Sequence, residues 1–128
     1  MKRIKSIAHG MAITFLLIII SGEAKSQKTT EVYIPIGESP GVSGKMTIIG
    51  KVEQIRNKDH SITVSLSDNS KLMCKMDKDT PVYLDKSTLK QSNTSGDWGY
   101  IKPGMLIEAK YKDRTKTGPI EWIKVQMK

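Results

Sequence analysis

Few side chains in this sequence could do chemistry beyond packing, and they fall into three groups. The first is Leu72-Met73-Cys74-Lys75-Met76, with His60 upstream. Cys74 and Met76 lie two residues apart, so a strand puts them on one side. Thiolate, thioether and imidazole suit Cu(I), which makes Cys74, Met76 and His60 the metal alternative. The same spacing also describes two core fillers, the commoner role of free cysteine and methionine, and packing is the favoured reading. The second group is Asp77, Asp79 and Asp85. Asp77-Lys78-Asp79 reads as a charged turn, without the ligand count or acidic closing residue of a calcium loop. The third is Trp98 and Tyr100, set among Gly, Ser and Asn in the stretch from Gln91 to Tyr100. Aromatics on a loop either anchor a partner or fold back to plug the end of the core.

Catalysis has little to work with. His9 lies in the N-terminal leader, so a Ser-His-Asp or Cys-His site would have to use His60. That residue closes the turn Asn57-Lys58-Asp59-His60, where a histidine is solvated. No phosphate-cradling glycine loop is present. The expectation is no catalytic residue and no cofactor, with a small hydrolase-like enzyme as the third and last reading. Aromatic content is 5% and dispersed, so the stacking platforms of single-strand nucleic-acid binders are missing too.

The elements that must position these groups are strands. Ile62, Val64 and Leu66 alternate with Ser61, Thr63, Ser65 and Ser67, the two-residue period of a half-buried strand. Asp68-Asn69-Ser70 turns the chain, and Leu72, Cys74 and Met76 then alternate with Lys71, Lys75 and Asp77. This hairpin aims six side chains at one core. The preceding strand, leading to Ile55, breaks alternation: Ile48 and Val52 share one parity, Ile49 and Ile55 the other. A bulge near Glu53-Gln54 reconciles them. Thr80 to Leu84 is a fourth strand. Ser87 to Lys90 makes one helical turn, and Gln91 to Gly96 is a solvated loop. Lys102-Pro103-Gly104 is a tight turn with glycine at positive φ. Met105 to Tyr111 and Ile120 to Met127 are the last strands, the latter with Trp122, Lys124 and Gln126 on the face away from Ile123 and Val125. Glu31 to Ile36 is extended, an edge strand or an arm lying on the barrel. No helix-period segment of ordinary length follows residue 24, and strands at roughly ten-residue spacing imply a sandwich or small barrel.

The N-terminus reads as a cleaved secretory signal peptide over residues 1–24. Lys2, Arg3 and Lys5 precede the apolar run Met11 to Ile20, and small residues follow at Ser21, Gly22, Ala24 and Ser26. Ten apolar residues fall short of the about 20 a membrane span needs. Cleavage after Ala24 or after Ser26 fits equally, and no lipobox cysteine exists. Removing Lys2, Arg3, Lys5 and Glu23 leaves 18 Lys+Arg against 12 Asp+Glu, net +6. Those lysines are scattered rather than in a run, which discourages edge pairing rather than marking a nucleic-acid arm. One cysteine makes no internal disulfide, so a small domain must hold by packing alone.

Several signals together resemble a known group. They are Gly50-Lys51-Val52-Glu53-Gln54-Ile55, Ile62-Thr63-Val64, Thr80-Pro81-Val82, Ile101 to Glu108, and Glu121 to Val125. In this order they resemble the small secreted OB-like β-barrel domains of bacteria, many of unknown function. The resemblance covers Lys45 to Lys128 and implies fold rather than activity. The Leu72–Met76 segment is also loosely similar to periplasmic OB-fold copper and silver chaperones, which carry a Met-x-Met pair with a His and a Trp nearby. Met76 matches one Met and Cys74 replaces the other; His60 lies earlier than that family's histidine, and no Trp precedes Met73.

The expectation is therefore an all-β chain, a five- to six-stranded OB-like barrel over residues 45–128 behind a cleaved signal peptide. An extended arm and loop cover residues 25–44. The expected function is that of a secreted or periplasmic non-enzymatic binding module. Its partner would be an envelope protein or small ligand. Nucleic acid and stable membrane insertion after cleavage are not expected. Trp98 and Tyr100 form the partner surface, and a Cu(I)/Ag(I) carrier is the alternative.

Overall fold

Seven short strands build the chain's only sheet among the described residues, 30–128, of the computed structural model. They are β1 (Thr47–Arg56), β2 (Ser61–Leu66), β3 (Lys71–Lys75), β4 (Val82–Asp85), β5 (Thr94–Gly96), β6 (Leu106–Tyr111) and β7 (Ile120–Gln126). The order across the sheet is β3-β2-β1-β6-β7-β4-β5. Every pair is antiparallel except β4 with β7. The class is all-β, as expected. The strand count is seven rather than five or six, and the ladders leave β3 and β5 as edges instead of closing a barrel. The signal-peptide reading falls on residues outside those described. No described helix is long and apolar enough to cross a membrane.

The hairpin read from alternation is the β2–β3 ladder, with Ile62 opposite Cys74 and Val64 opposite Leu72. Ile62, Val64, Cys74 and Met76 are buried, and Leu66 and Leu72 pack against them half-buried. The register between β1 and β2 breaks between Val52 and Gln54, where the parity conflict demanded a bulge. Gly50 is required by close approach: a Cβ there would sit 2.4 Å from the Ser65 carbonyl oxygen. Gly104 turns at φ +88°, a left-handed angle suited to glycine.

The sheet curls tightly over its core. Cys74 on β3 and Tyr111 on β6 are separated by two strands, which in a flat sheet would hold them about 14 Å apart. Their Sγ and hydroxyl nevertheless meet at 3.3 Å. Beyond the end of β3, Lys75 bridges in parallel to Pro119, just ahead of β7.

Two local expectations are corrected. Glu31 to Ile36 is not extended; it is mostly turn, and forms no strand. Gln91 to Gly96 is not wholly loop, because Thr94–Gly96 pairs with β4. Nothing local in the sequence hints at that pairing, since Thr94-Ser95-Gly96 carries no hydrophobic period. The helical turn at Ser87–Leu89 is a 3-10 turn.

Candidate functional site

The residues read as a partner surface sit where β1, a 3-10 turn and the Lys102-Pro103-Gly104 turn converge. Trp98–Tyr100 forms the 3-10 turn, opened by Asp97, whose carboxylate accepts the Gly99 N–H at 2.9 Å. Trp98 is half-buried and packs against the core. Its indole N–H donates to Asn57 Oδ1 at 2.7 Å, and His60 lies against its ring at 5.0 Å between centroids. Trp98 is thus a fixed wall, between a free anchor and a full plug. Tyr100 remains 44% exposed.

Trp98 borders two clefts. The larger, about 450 Å³, is lined by Glu53, Gln54 and Ile55 of β1, by Asn57, and by Gly99, Ile101, Lys102 and Pro103. Three consecutive β1 residues share this lining, which strict alternation forbids and a bulge allows. The turn is sewn to β1 there: Gly104 N–H donates to Val52 O at 2.7 Å, and Val52 N–H to Met105 O at 2.9 Å. The smaller cleft, about 230 Å³, includes His60, Met76, Thr80, Pro81 and Asp97. Sequence reasoning found Trp98 but missed Glu53, Gln54, Asn57 and Lys102. The predicted bulge was the available signal, since bulges re-aim side chains.

The metal alternative is divided by the geometry. His60 and Met76 come together, with the Met76 N–H donating to the His60 carbonyl at 2.9 Å. Cys74 does not join them. Its side chain is fully buried and its Sγ faces the Tyr111 hydroxyl. Burial pushes the thiol's pKa up, against a smaller opposing effect of the Tyr111 hydrogen bond, so the nucleophilic and metal-binding thiolate is disfavoured. Burial raises the Tyr111 hydroxyl's pKa as well. Among the described residues no three of His, Cys, Asp and Glu cluster as metal ligands. Asp77 serves its own turn, accepting from Thr80 Oγ1 and the Asp79 N–H.

Away from this end, the arm lies over one outward position on each of three strands: Asp85 of β4, Glu108 of β6 and Lys124 of β7. Glu108 is fully buried; it accepts the Gly37 N–H at 3.0 Å and the Thr47 hydroxyl at 2.8 Å. Asp85 accepts the Ile36 N–H at 2.8 Å and the Ser87 N–H at 2.9 Å. Lys124 Nζ donates to Ser39 Oγ at 3.1 Å and lies 4.6 Å from the centre of the Trp122 ring. Burial alone would raise the pKa of Asp85, but the Ile36 and Ser87 hydrogen bonds, with Lys124 nearby, outweigh it and hold the carboxyl below its usual range.

With this geometry in hand, comparison with known proteins finds no matching family model, curated protein or solved structure.

Proposed function

We propose that the chain is a non-enzymatic binding module, exported to the periplasm or beyond after cleavage near Ala24 or Ser26. Its ligand surface is the end of the sheet that carries Trp98 and Tyr100. The observation that carries this reading is a fixed indole bordering two clefts, beside an exposed tyrosine, on a rigid strand scaffold. The groups a hydrolase would need are not brought together: Cys74 is buried against Tyr111 with its pKa raised by burial, while His60 lines the smaller cleft beside Trp98.

The scaffold reading belongs to the same proposal. β3 and β4 act as one strand interrupted by Met76 to Pro81. Its first half bridges to Pro119 ahead of β7, and its second half runs parallel to β7. Joined in this way, the order β3-β2-β1-β6-β7-β4 returns on itself as an OB-like barrel, in which loops at the ends of the strands hold ligands.

The test compares envelope-extract capture by the intact domain, Tyr100→Ala and Lys128→Ala, each checked by thermal melting. Tyr100→Ala should lose a specific captured component while melting as the parent does. Equal capture by all three would refute the surface.

A second reading has one observation in its favour: His60, Met76 and Trp98 line the same small cleft. A Cu(I) carrier would then use the imidazole and thioether. Cu(I) titrated under reducing conditions would raise the melting temperature by linkage, and His60→Ala and Met76→Leu would each abolish that rise. The binding-module reading expects no such rise.

A further inference from the structure

The larger cleft beside Trp98 has a composition that points to one ligand class. Its indole is immobilised by Asn57 and His60, so stacking on it would freeze little side-chain motion. Around it stand planar or flexible polar groups that make few internal hydrogen bonds. Asn57 uses its amide oxygen for Trp98 and keeps its amide nitrogen as a donor; the Gln54 amide and Lys102 ammonium have no partner within the described chain. Glu53 pairs with Lys71 at 3.0 Å on the exposed surface. Aromatic wall, amides, a carboxylate and one ammonium are the complement of a sugar. A pyranose packs its C–H face on an aromatic ring and offers hydroxyls, each donor and acceptor, to amides and carboxylates at its rim. The volume, about 450 Å³, lies within the roughly 300–1,000 Å³ range of small-molecule sites.

Two competing classes fit less well. A single-stranded nucleic acid needs successive stacking platforms and a cationic track, and this cleft has one indole and sets Glu53 against Lys102. A polyproline segment needs a groove lined with several aromatics.

We propose that this cleft is a saccharide subsite, taking an uncharged pyranose unit of a glycan chain through stacking on Trp98 and hydrogen bonds to Gln54, Asn57 and Lys102. The proposal rests on the reading of this end as the ligand surface and names its substrate class.

The measurement is titration followed by the indole N–H cross-peaks of ¹⁵N-labelled protein. There are two tryptophans, and Trp122 lies buried among the outward positions of β7, so the Trp98 signal is assignable. Probes are the tetrasaccharides of N-acetylglucosamine, cellulose and amylose, with oligothymidylate and a proline-rich peptide as competitors of other classes. At least one tetrasaccharide at millimolar concentration should shift the Trp98 peak saturably and leave Trp122 unmoved. Gln54→Ala and Lys102→Ala, both exposed positions, should each weaken that binding about tenfold, the equivalent of one lost hydrogen bond to a charged or strongly polar group, with unchanged melting. A shift caused by the oligonucleotide or peptide instead overturns the sugar assignment while sparing the ligand surface. No shift with any probe overturns the sugar assignment, and unchanged capture by Tyr100→Ala would then remove the surface as well.

Discussion

Glu108→Ala should loosen the arm before it loosens the sheet. Glu108 sits on β6 with its side chain fully buried, and each carboxylate oxygen has a separate partner: the Gly37 N–H and the Thr47 hydroxyl. Thr47 Oγ1 in turn accepts the Gly44 N–H at 2.8 Å. One carboxylate therefore holds the arm at Gly37 directly and at Gly44 through Thr47. Truncation to alanine leaves the buried Thr47 hydroxyl unmatched, at about 1–3 kcal/mol, and frees the part-buried Gly37 N–H, at about 0.5–1.5 kcal/mol. The combined loss is on the order of 2–4 kcal/mol, against a total stability of roughly 5–15 kcal/mol for a domain. At about 4–8 °C per kcal/mol for a domain near 100 residues, melting should fall by on the order of 10–30 °C. Glu108→Gln keeps one carbonyl oxygen and should lose about half as much.

A melt alone would not locate the damage, so hydrogen exchange supplies the second reading. Gly37, Val42, Ser43 and Met46 donate their amides within the arm or to Glu108. These amides should lose protection by a larger factor than those of the β2–β3 ladder. Glu121→Ala is the control, because Glu121 is exposed and pairs only with Lys110, a contact worth about 0–1 kcal/mol. If Glu108→Ala melts as Glu121→Ala does, the network does not hold the arm. Uniform exchange across the whole sheet would refute the local latch equally.

Three further outcomes follow from the same structure. Val64→Asp should destabilise far more than Thr63→Asp, since Val64 is fully buried and Thr63 is not, and a buried unpaired carboxylate costs several kcal/mol; equal melting losses would put the register wrong by one residue. Cys74 should resist thiol reagents in the folded chain and react at the rate of global unfolding, because it is fully buried with its pKa raised; fast labelling under native conditions would contradict that. Asp85 has a depressed folded pKa, so its stabilisation is present above the unfolded value of about 3.9 and is lost as pH falls through the folded one. Acid should therefore raise exchange at Ile36, and Asp85→Asn should remove that pH dependence; an acid response unchanged in the variant would assign it to another group.

What was legible in the sequence was whatever one face of one strand encodes. Ile62, Val64, Cys74 and Met76 announce their burial by parity alone, and the parity clash of Ile49 and Ile55 with Ile48 and Val52 announces the bulge. What sequence cannot encode locally is whether an outward face is covered. Glu108, Lys124 and Asp85 occupy outward positions of alternating strands, where polar residues are expected and ordinarily solvated. Only the covering arm makes them buried, and the arm's contacts lie 49, 71 and 85 residues away in sequence. Two hints were present: an apolar Tyr33-Ile34-Pro35-Ile36 with no strand to join, and Trp122 on the polar face of β7. The cleft was half legible for the same reason. Trp98 stood out as an aromatic on a loop, but Gln54, Asn57 and Lys102 are unremarkable until three elements meet.

The choice of charged residues beneath the arm is itself informative. Apolar side chains at Glu108, Asp85 and Lys124 could hold a covering segment at least as tightly, since buried ionic groups are often no more stabilising than well-packed hydrophobes of the same shape. What they add is position. A hydrophobic patch accepts a sliding segment, whereas Glu108 accepts the Gly37 N–H and Asp85 the Ile36 N–H, adjacent amides held from two different strands. A one-residue slip of the arm would leave both carboxylates facing the wrong donors, and Ser39 would move from Lys124. The turn-rich arm has no ladder to set its register, having formed no strand. The buried charges supply that register side chain by side chain, which is why a segment with two prolines and three glycines at positive φ lies in one defined course across the sheet.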